Sequence, residues 1–240
     1  MQILTIMHVY NERKMLPYTL HYQKAHDIPL YVIDNMSNDG TWEYLQEQGI
    51  PSHRFDTGGA FHLTKLHDEV LRVADAQQPH WFIYRGCDLF WSVASIRMII
   101  EQSDRLGYTR IETEAYHVYR KGYAGMFYDC EYVRRVDNWV GLVAKHGPAM
   151  EIRGDSIRRN GGTRRVSAPF YNFGFTKPKE EREETFERRQ KAWEEGLPLE
   201  LGYHYRREKE AGWEGWNVKH IRENPEIHHH LKRLSRLWLK

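Results

Sequence analysis

Three short apolar runs, each stopping at a polar or acidic residue and each followed by a helical pattern, constrain this chain more than anything else in it. Ile3 to His8 gives way to Asn11-Glu12, Leu30 to Ile33 ends in Asp34-Asn35, and Trp81 to Tyr84 ends in Gly86-Cys87-Asp88. Runs this short and this apolar read as strands buried on both faces. Between them, Met15 to Ala25, Thr41 to Gln48 and Leu63 to Ala76 carry helical character, and His53 to Phe55 fits a third short strand. Ser92 to Leu106 follows as a helix and Thr109 to Tyr119 as a strand. Strand–helix alternation of this kind predicts an α/β fold built on a mostly parallel sheet with flanking helices.

The 240 residues suit one large domain with an appendage, and a 40% hydrophobic share is enough to build its core. The expected division is 1–177 for the main domain, split into a nucleotide-binding half at 1–106 and an acceptor half at 107–177. Residues 178–240 are expected as a C-terminal helical extension packed on it, opening with a charged helix from Pro178 to Glu195. The segment from Arg153 to Arg165, rich in arginine and containing Gly161-Gly162, reads as a loop.

The net charge of +2 does not single out nucleic acid as a partner. Two cysteines make no disulfide framework, no apolar run approaches the ~20 residues that span a bilayer, and the N-terminus enters a strand pattern at once. The expectation from these is a cytoplasmic protein with no transmembrane segment.

Open parallel sheets bind ligands beyond the carboxyl ends of their strands. The polar strand ends are therefore the candidate site: Tyr10, Asn11 and Glu12; Asp34 and Asn35; Asp88. An acid in such a place can accept hydrogen bonds from a ribose or a base, or hold a metal; it can equally be a helix cap or a turn acid.

The segments Val9-Tyr10-Asn11-Glu12 and Val32-Ile33-Asp34-Asn35-Met36-Ser37-Asn38-Asp39-Gly40-Thr41 resemble the opening of family 2 glycosyltransferases. In that family the first strand ends in an Asn-Glu pair, and the second in an Asp followed by a Ser-x-Asp-Gly-Thr turn. The resemblance implies a GT-A (Rossmann-like) fold and transfer of a sugar from a nucleotide-diphosphate donor, a UDP-sugar favoured, to a glycan or other hydroxyl acceptor, with inversion. It implies that Asp34 contacts the base, with Glu12 and the Tyr10 backbone beside it.

Gly86-Cys87-Asp88 stands where the family carries an Asp-x-Asp metal motif, with Gly86 in place of the first acid. The implied cofactor is a divalent cation, manganese or magnesium, with Asp88 the one carboxylate left to hold it. Phe170 to Pro178 is similar to the Tyr-His-Tyr-Gly-Trp-Val-Arg-Pro segment of one family branch, with Asn172 for the His, and Asn224-Pro225 is similar to its His-Pro element. These departures favour a second reading, a catalytically weak or inactive relative that binds a nucleotide-sugar or a glycan.

Positive charge for the diphosphate is expected from the Arg153, Arg158, Arg159, Arg164 and Arg165 cluster, Arg158 foremost, with Lys65 and Arg85 as further candidates. The same arginines can equally form a solvated basic loop. An inverting transferase needs a base for the acceptor hydroxyl. Asp155 and Asp137 are the candidates, ahead of Asp129 and Glu131, in the segment where the resemblance places the acceptor half.

Overall fold

The computed structural model describes residues 1–58, 62–91, 95–119, 132–135, 140–153, 156–174, 184, 187–188, 219–220, 229 and 231–232. Its elements run β1 (Ile3–Val9), α1 (Leu16–Ala25), β2 (Leu30–Asp34), α2 (Thr41–Glu47), β3 (Ser52–Arg54), α3 (Leu63–Gln77), β4 (Trp81–Gly86) and β5 (Leu89–Trp91). They continue with α4 (Ile96–Arg105), β6 (Arg110–Tyr119), β7 (Tyr132–Arg135), β8 (Val140–Lys145), β9 (Glu151–Arg153), β10 (Ser156–Arg158), β11 (Thr163–Asn172) and β12 (Lys219–His220).

The result is an α/β fold around one large sheet flanked by helices. Its strand order is β12-β7-β6-β8-β4-β1-β2-β3, with β11 pairing β6 and β5 pairing β11. The first half, β3-β2-β1-β4, is wholly parallel. β8 then joins β4 antiparallel, β6 joins β8 antiparallel, and β11 lies parallel to β6.

β1 sits centrally between β2 and β4, which explains its almost unbroken apolar sequence: Ile3, Ile6, Met7 and Val9 are all buried. Having β2 on one side and β4 on the other, β1 borders the place where the order of connection reverses. The crevice at the carboxyl end of such a reversal is where parallel sheets hold ligands.

The helices of the first half start at that same end. α1 has Pro17 in its first turn, where a missing N–H costs nothing. α2 begins from Gly40, whose φ of 88° favours glycine. α4 starts at Ser95, whose hydroxyl accepts from the Met98 N–H at 3.2 Å. Among the described residues no helix is long and apolar enough to cross a membrane.

Two segments differ from expectation. Arg153 to Arg165 is not a continuous loop: Arg153 ends β9, Ser156–Arg158 pairs with it as β10, and Thr163 opens the ten-residue β11. The arginines hid the strand pattern because several of them bond carboxylates, carbonyls and polar side chains of other elements, which leaves no apolar alternation to read. In the tail, Lys219–His220 forms an edge strand on β7. Most of the helix expected over Pro178–Glu195 lies outside the described residues; Glu184, Glu187 and Arg188 are helical.

Candidate active site

The turns after β1 and β2 are laced together by four hydrogen bonds. The Asn11 N–H donates to Ser37 Oγ at 2.9 Å, and the Glu12 N–H donates to Thr41 Oγ1 at 2.8 Å. The Arg13 N–H donates to Asp39 Oδ2 at 3.0 Å, and the Asn38 N–H to Asn11 Oδ1 at 3.0 Å. Asp39 also caps α2 through its Oδ1, which accepts from the Thr41 N–H at 3.0 Å. So the motif residues serve each other first. Asn11, with φ 52°, is bent so that its N–H meets Ser37, a conformation asparagine tolerates better than most residues.

Asp34 is the floor of this knot. Its carboxylate is fully buried, accepts from the Ser37 N–H at 3.2 Å and 3.3 Å, and is paired with Arg54 Nε at 3.1 Å. Arg54 Nη2 also donates to the Ser37 carbonyl at 2.6 Å. The resemblance implies a direct contact between Asp34 and a base; in the structure Asp34 faces inward and fixes the turn that forms the rim. Asn35 is buried beside it, accepts from Thr57 Oγ1 at 3.0 Å, and leaves its Nδ2 without a partner.

Asp88 and Asn172 meet across the other wall. A methyl placed at Gly174 would lie 2.5 Å from Asp88 Oδ2 and 3.0 Å from Asn172 Oδ1, and one at Gly86 would lie 2.9 Å from Asp88 Oδ1. The carboxylate thus nests in a cleft that only glycine at both positions leaves open. The backbone holds it there: the Phe173 N–H donates to the Asp88 carbonyl at 2.9 Å, and β11 pairs β5 with Asn172 opposite Leu89. Among the described residues the Asp88 side chain accepts no hydrogen bond. Asn172 Oδ1 accepts from the Gly174 N–H at 2.8 Å.

Cys87 between them is buried, and burial pushes its thiol well up; Thr19 Oγ1 donates to its carbonyl at 2.6 Å. It is a packing residue rather than a nucleophile. Arg85 is enclosed between the rings of Tyr22 and Phe90, each centroid 5.1 Å away, and among the described residues its Nε and Nη2 are unpaired. Burial lowers its pKa, and its guanidinium faces the interior rather than the crevice.

Arg159, Arg164 and Arg165 lie at the other end of the sheet. Lys145 pairs with Trp81, the first residue of β4, and Arg159 Nη1 donates to the Lys145 carbonyl and, at 2.9 Å, to that of His146. Thr163 pairs with Arg110 at the start of β6, so Arg164 and Arg165 stand at the same edge. Arg164 donates to Gln102 and Ser103, and Arg165 to Glu112. Arg158 is exposed on β10, adjacent to Arg159, and Arg153 pairs with Glu151 at 3.0 Å. The fold therefore separates Arg158 from the strand ends that carry Asp34 and Asp88. Lys65 is exposed in the first turn of α3, at the crevice end, and bonds no described residue. Asp155, Asp137, Asp129 and Glu131 lie outside the described residues.

Sequence reasoning missed the pair that does lie over the crevice. Tyr10 Oη donates to Glu184 Oε1 at 2.8 Å, and Asn11 Nδ2 donates to the same oxygen at 3.2 Å. The Arg188 guanidinium carbon stands 3.3 Å from the Tyr10 ring centroid. Burial, then the bond to Glu184, raises the Tyr10 pKa, while burial lowers that of Arg188. Nothing local in the sequence marks two charges in a charged helix as facing β1.

No protein-family model matches the chain, and no curated protein matches it. The chain is similar to crystal structures of S. aureus TarS residues 1–349, at 13% identity over 99% of this chain and 81% of that one. The TM-scores are 0.48 for the complex with UDP and 0.46 for the complex with UDP-GlcNAc. It is also similar to glucosyl-3-phosphoglycerate synthase from Mycobacterium tuberculosis in complex with Mn2+, UDP and phosphoglyceric acid. That likeness has 14% identity, covers 48% of this chain and 43% of that one, and has a TM-score of 0.34. Similarity of this degree assigns no role to any residue here.

Proposed function

We propose that this chain is a nucleotide-sugar glycosyltransferase of GT-A type and family 2 character. It would move a sugar from a nucleoside diphosphate, a UDP-sugar favoured, to a hydroxyl acceptor with inversion. The observation that carries the reading is the gathering of three separate sequence segments at one end of the parallel half-sheet. These are the Tyr10–Arg13 turn, the Asp34–Thr41 turn laced to it, and Asp88 with Asn172 on the adjoining wall. A diphosphate ester placed in the crevice beside β1 would lie with its nucleoside against the Asp34–Thr41 turn and its diphosphate between the Tyr10–Asn11 turn and Asp88.

In this reading Asp34 is a positioning residue that acts through Arg54 and Ser37. Attack by the acceptor requires a base for its hydroxyl proton, and Asp155 and Asp137 remain the candidates. A divalent cation, manganese or magnesium, is consistent with the oxygen-only donors at the wall: one free carboxylate, Asp88, and one amide oxygen, Asn172. Hard cations accept such ligands and complete their shells with water and substrate phosphates. When bound it would offset the charge of the leaving diphosphate. Among the described residues no cluster of three or more His, Cys, Asp or Glu side chains could hold a metal by itself, so the substrate would supply much of the coordination.

A second reading, a binding protein with little or no transfer activity, is favoured by one observation. Gly86 removes an acid from the wall, and the carboxylate of Asp88 fills the space a side chain there would need.

The deciding experiment is a thermal-shift panel of nucleoside diphosphates and their sugars with manganese, with magnesium and with EDTA. A ligand that binds only the folded chain raises Tm by mass action. A shift with one nucleotide family, lost in Asp88→Ala, is expected; no shift with any member overturns the reading. Transfer well above buffer hydrolysis separates the enzyme from the binding protein.

A further inference from the structure

Arg159, Arg164 and Arg165 stand at the far edge of the sheet, and besides Lys65 of α3 a second cation lies at the crevice end, over Tyr10. Tyr10 Oη and Asn11 Nδ2 both point donors at one carboxylate, that of Glu184. Arg188 lies on the Tyr10 ring, within electrostatic reach of Glu184 and Asp56. Its Nη1 is buried and meets no acceptor among the described residues. Two donors converging on a single anion, with a cation that carries an unmet N–H beside them, are an anion-recognition set that already holds an anion. An unmet buried N–H carries a desolvation penalty that a ligand oxygen relieves. The guanidinium fork also suits two phosphate oxygens at once.

We infer that Tyr10, Asn11 and Arg188 form the phosphate-recognising set of the crevice, and that the Glu184 carboxylate is an internal stand-in for the ligand's diphosphate. The inference deepens the nucleotide-sugar reading and rests on it for the identity of the ligand. An incoming diphosphate displaces Glu184 from Tyr10 and Asn11 and takes up the free N–H of Arg188. Glu184 then competes with ligand, and Arg188 attracts it. The two side chains, neighbours on one segment, should have opposite effects on affinity.

The test uses the full chain and calorimetric titration with inorganic pyrophosphate, UDP and uridine. Glu184→Gln keeps size and removes the competing charge; it should tighten pyrophosphate and UDP by about tenfold, equivalent to ~1.4 kcal/mol. Arg188→Ala should weaken both by about tenfold or more and leave uridine unchanged, and Arg188→Lys should recover part of the loss by restoring charge without the fork. Circular dichroism checks that each variant folds, and the isosteric Glu184→Gln carries the test if Arg188→Ala does not fold. Unchanged pyrophosphate affinity in Arg188→Ala, or weaker affinity in Glu184→Gln, overturns the inference. Failure of the wider reading looks different: pyrophosphate still binds in an Arg188-dependent way while no nucleotide sugar does.

Discussion

Arg54 donates from Nε to the fully buried carboxylate of Asp34 at 3.1 Å, and its Nη2 grips the Ser37 carbonyl at 2.6 Å. One side chain therefore neutralises the Asp34 charge under the laced turns and also pins the turn itself. Arg54→Met removes both functions and strands a carboxylate in the interior. Loss of one partner from a buried pair destabilises by about 3 kcal/mol. Urea unfolding should show a fall of that order, and the double variant Arg54→Met, Asp34→Asn should recover a good part of it. No change in Arg54→Met would mean that Arg54 does not stabilise the buried Asp34 carboxylate.

Gly174→Ala is expected to separate site from scaffold. The new methyl would lie 2.5 Å from Asp88 Oδ2, so the carboxylate must swing away from Asn172. Gly174 is partly exposed near the end of β11, and the backbone ladder does not depend on its side. Sugar transfer should fall at least about tenfold, ~1.4 kcal/mol in barrier, while the urea midpoint stays close to wild type. An active Gly174→Ala would remove Asp88 from the chemistry.

His67 supplies a pH signature. It is buried on α3 with its ring edge-on to Tyr84 at 5.4 Å, and its Nε2 has no partner among the described residues. Burial lowers its pKa to about 4, against a small opposing contribution from the hydrogen bond to Ile152. The unfolded chain therefore takes up the proton first. Its contribution to stability is complete above the ordinary histidine pKa of ~6.5 and diminishes as pH falls toward the folded value, at about 2 kcal/mol lost by about pH 5. His67→Phe should flatten the stability profile across that interval; an unchanged slope would show that other groups carry it.

Asp104 acts at lower pH. Its Oδ1 accepts from Trp81 Nε1 at 2.9 Å, from Lys145 Nζ at 3.0 Å and from His80 Nε2 at 3.0 Å. The Trp81 bond, then Lys145 and His80, hold its carboxyl well below the usual carboxylate range, against the opposing effect of burial. A depressed folded pKa stabilises above the unfolded value of ~4 and is lost as pH falls below it. Asp104→Asn should lower stability at neutral pH and weaken acid sensitivity below about pH 4, read from unfolding midpoints along a pH series. Equal midpoint shifts at neutral and acidic pH would assign the effect to packing.

The first half of this fold is legible in the sequence because local and tertiary signals coincide there. Ile3–Val9 is mostly apolar since β1 is covered on both faces, and Leu63–Gln77 shows a helical stripe since one face packs on the sheet. The Ser37–Thr41 turn is legible because its hydroxyls and carboxylate bond neighbouring backbone. Beyond β4 the two signals part. Leu89–Trp91 is three residues long and runs on toward α4, so its apolar run cannot be told from a helix start. Thr163–Asn172 begins with arginines whose partners, Gln102 and Glu112, come from other elements. The meeting of Asp88 with Asn172 depends on β11 pairing with β5, and the seat of Arg188 on Tyr10 depends on a return of the chain. Neither relation leaves a spacing to read.

Gly86 bears on how such a chain can change over generations. A side chain at 86 and the present rotamer of Asp88 exclude each other, because a Cβ there falls 2.9 Å from Asp88 Oδ1. An acid introduced at 86 by one substitution would therefore not simply add a second carboxylate to the first. Asp88 would have to leave its present rotamer beside Asn172 and Gly174. The two positions are thus coupled, and the effect of any substitution at 86 depends on what stands at 88 and 174.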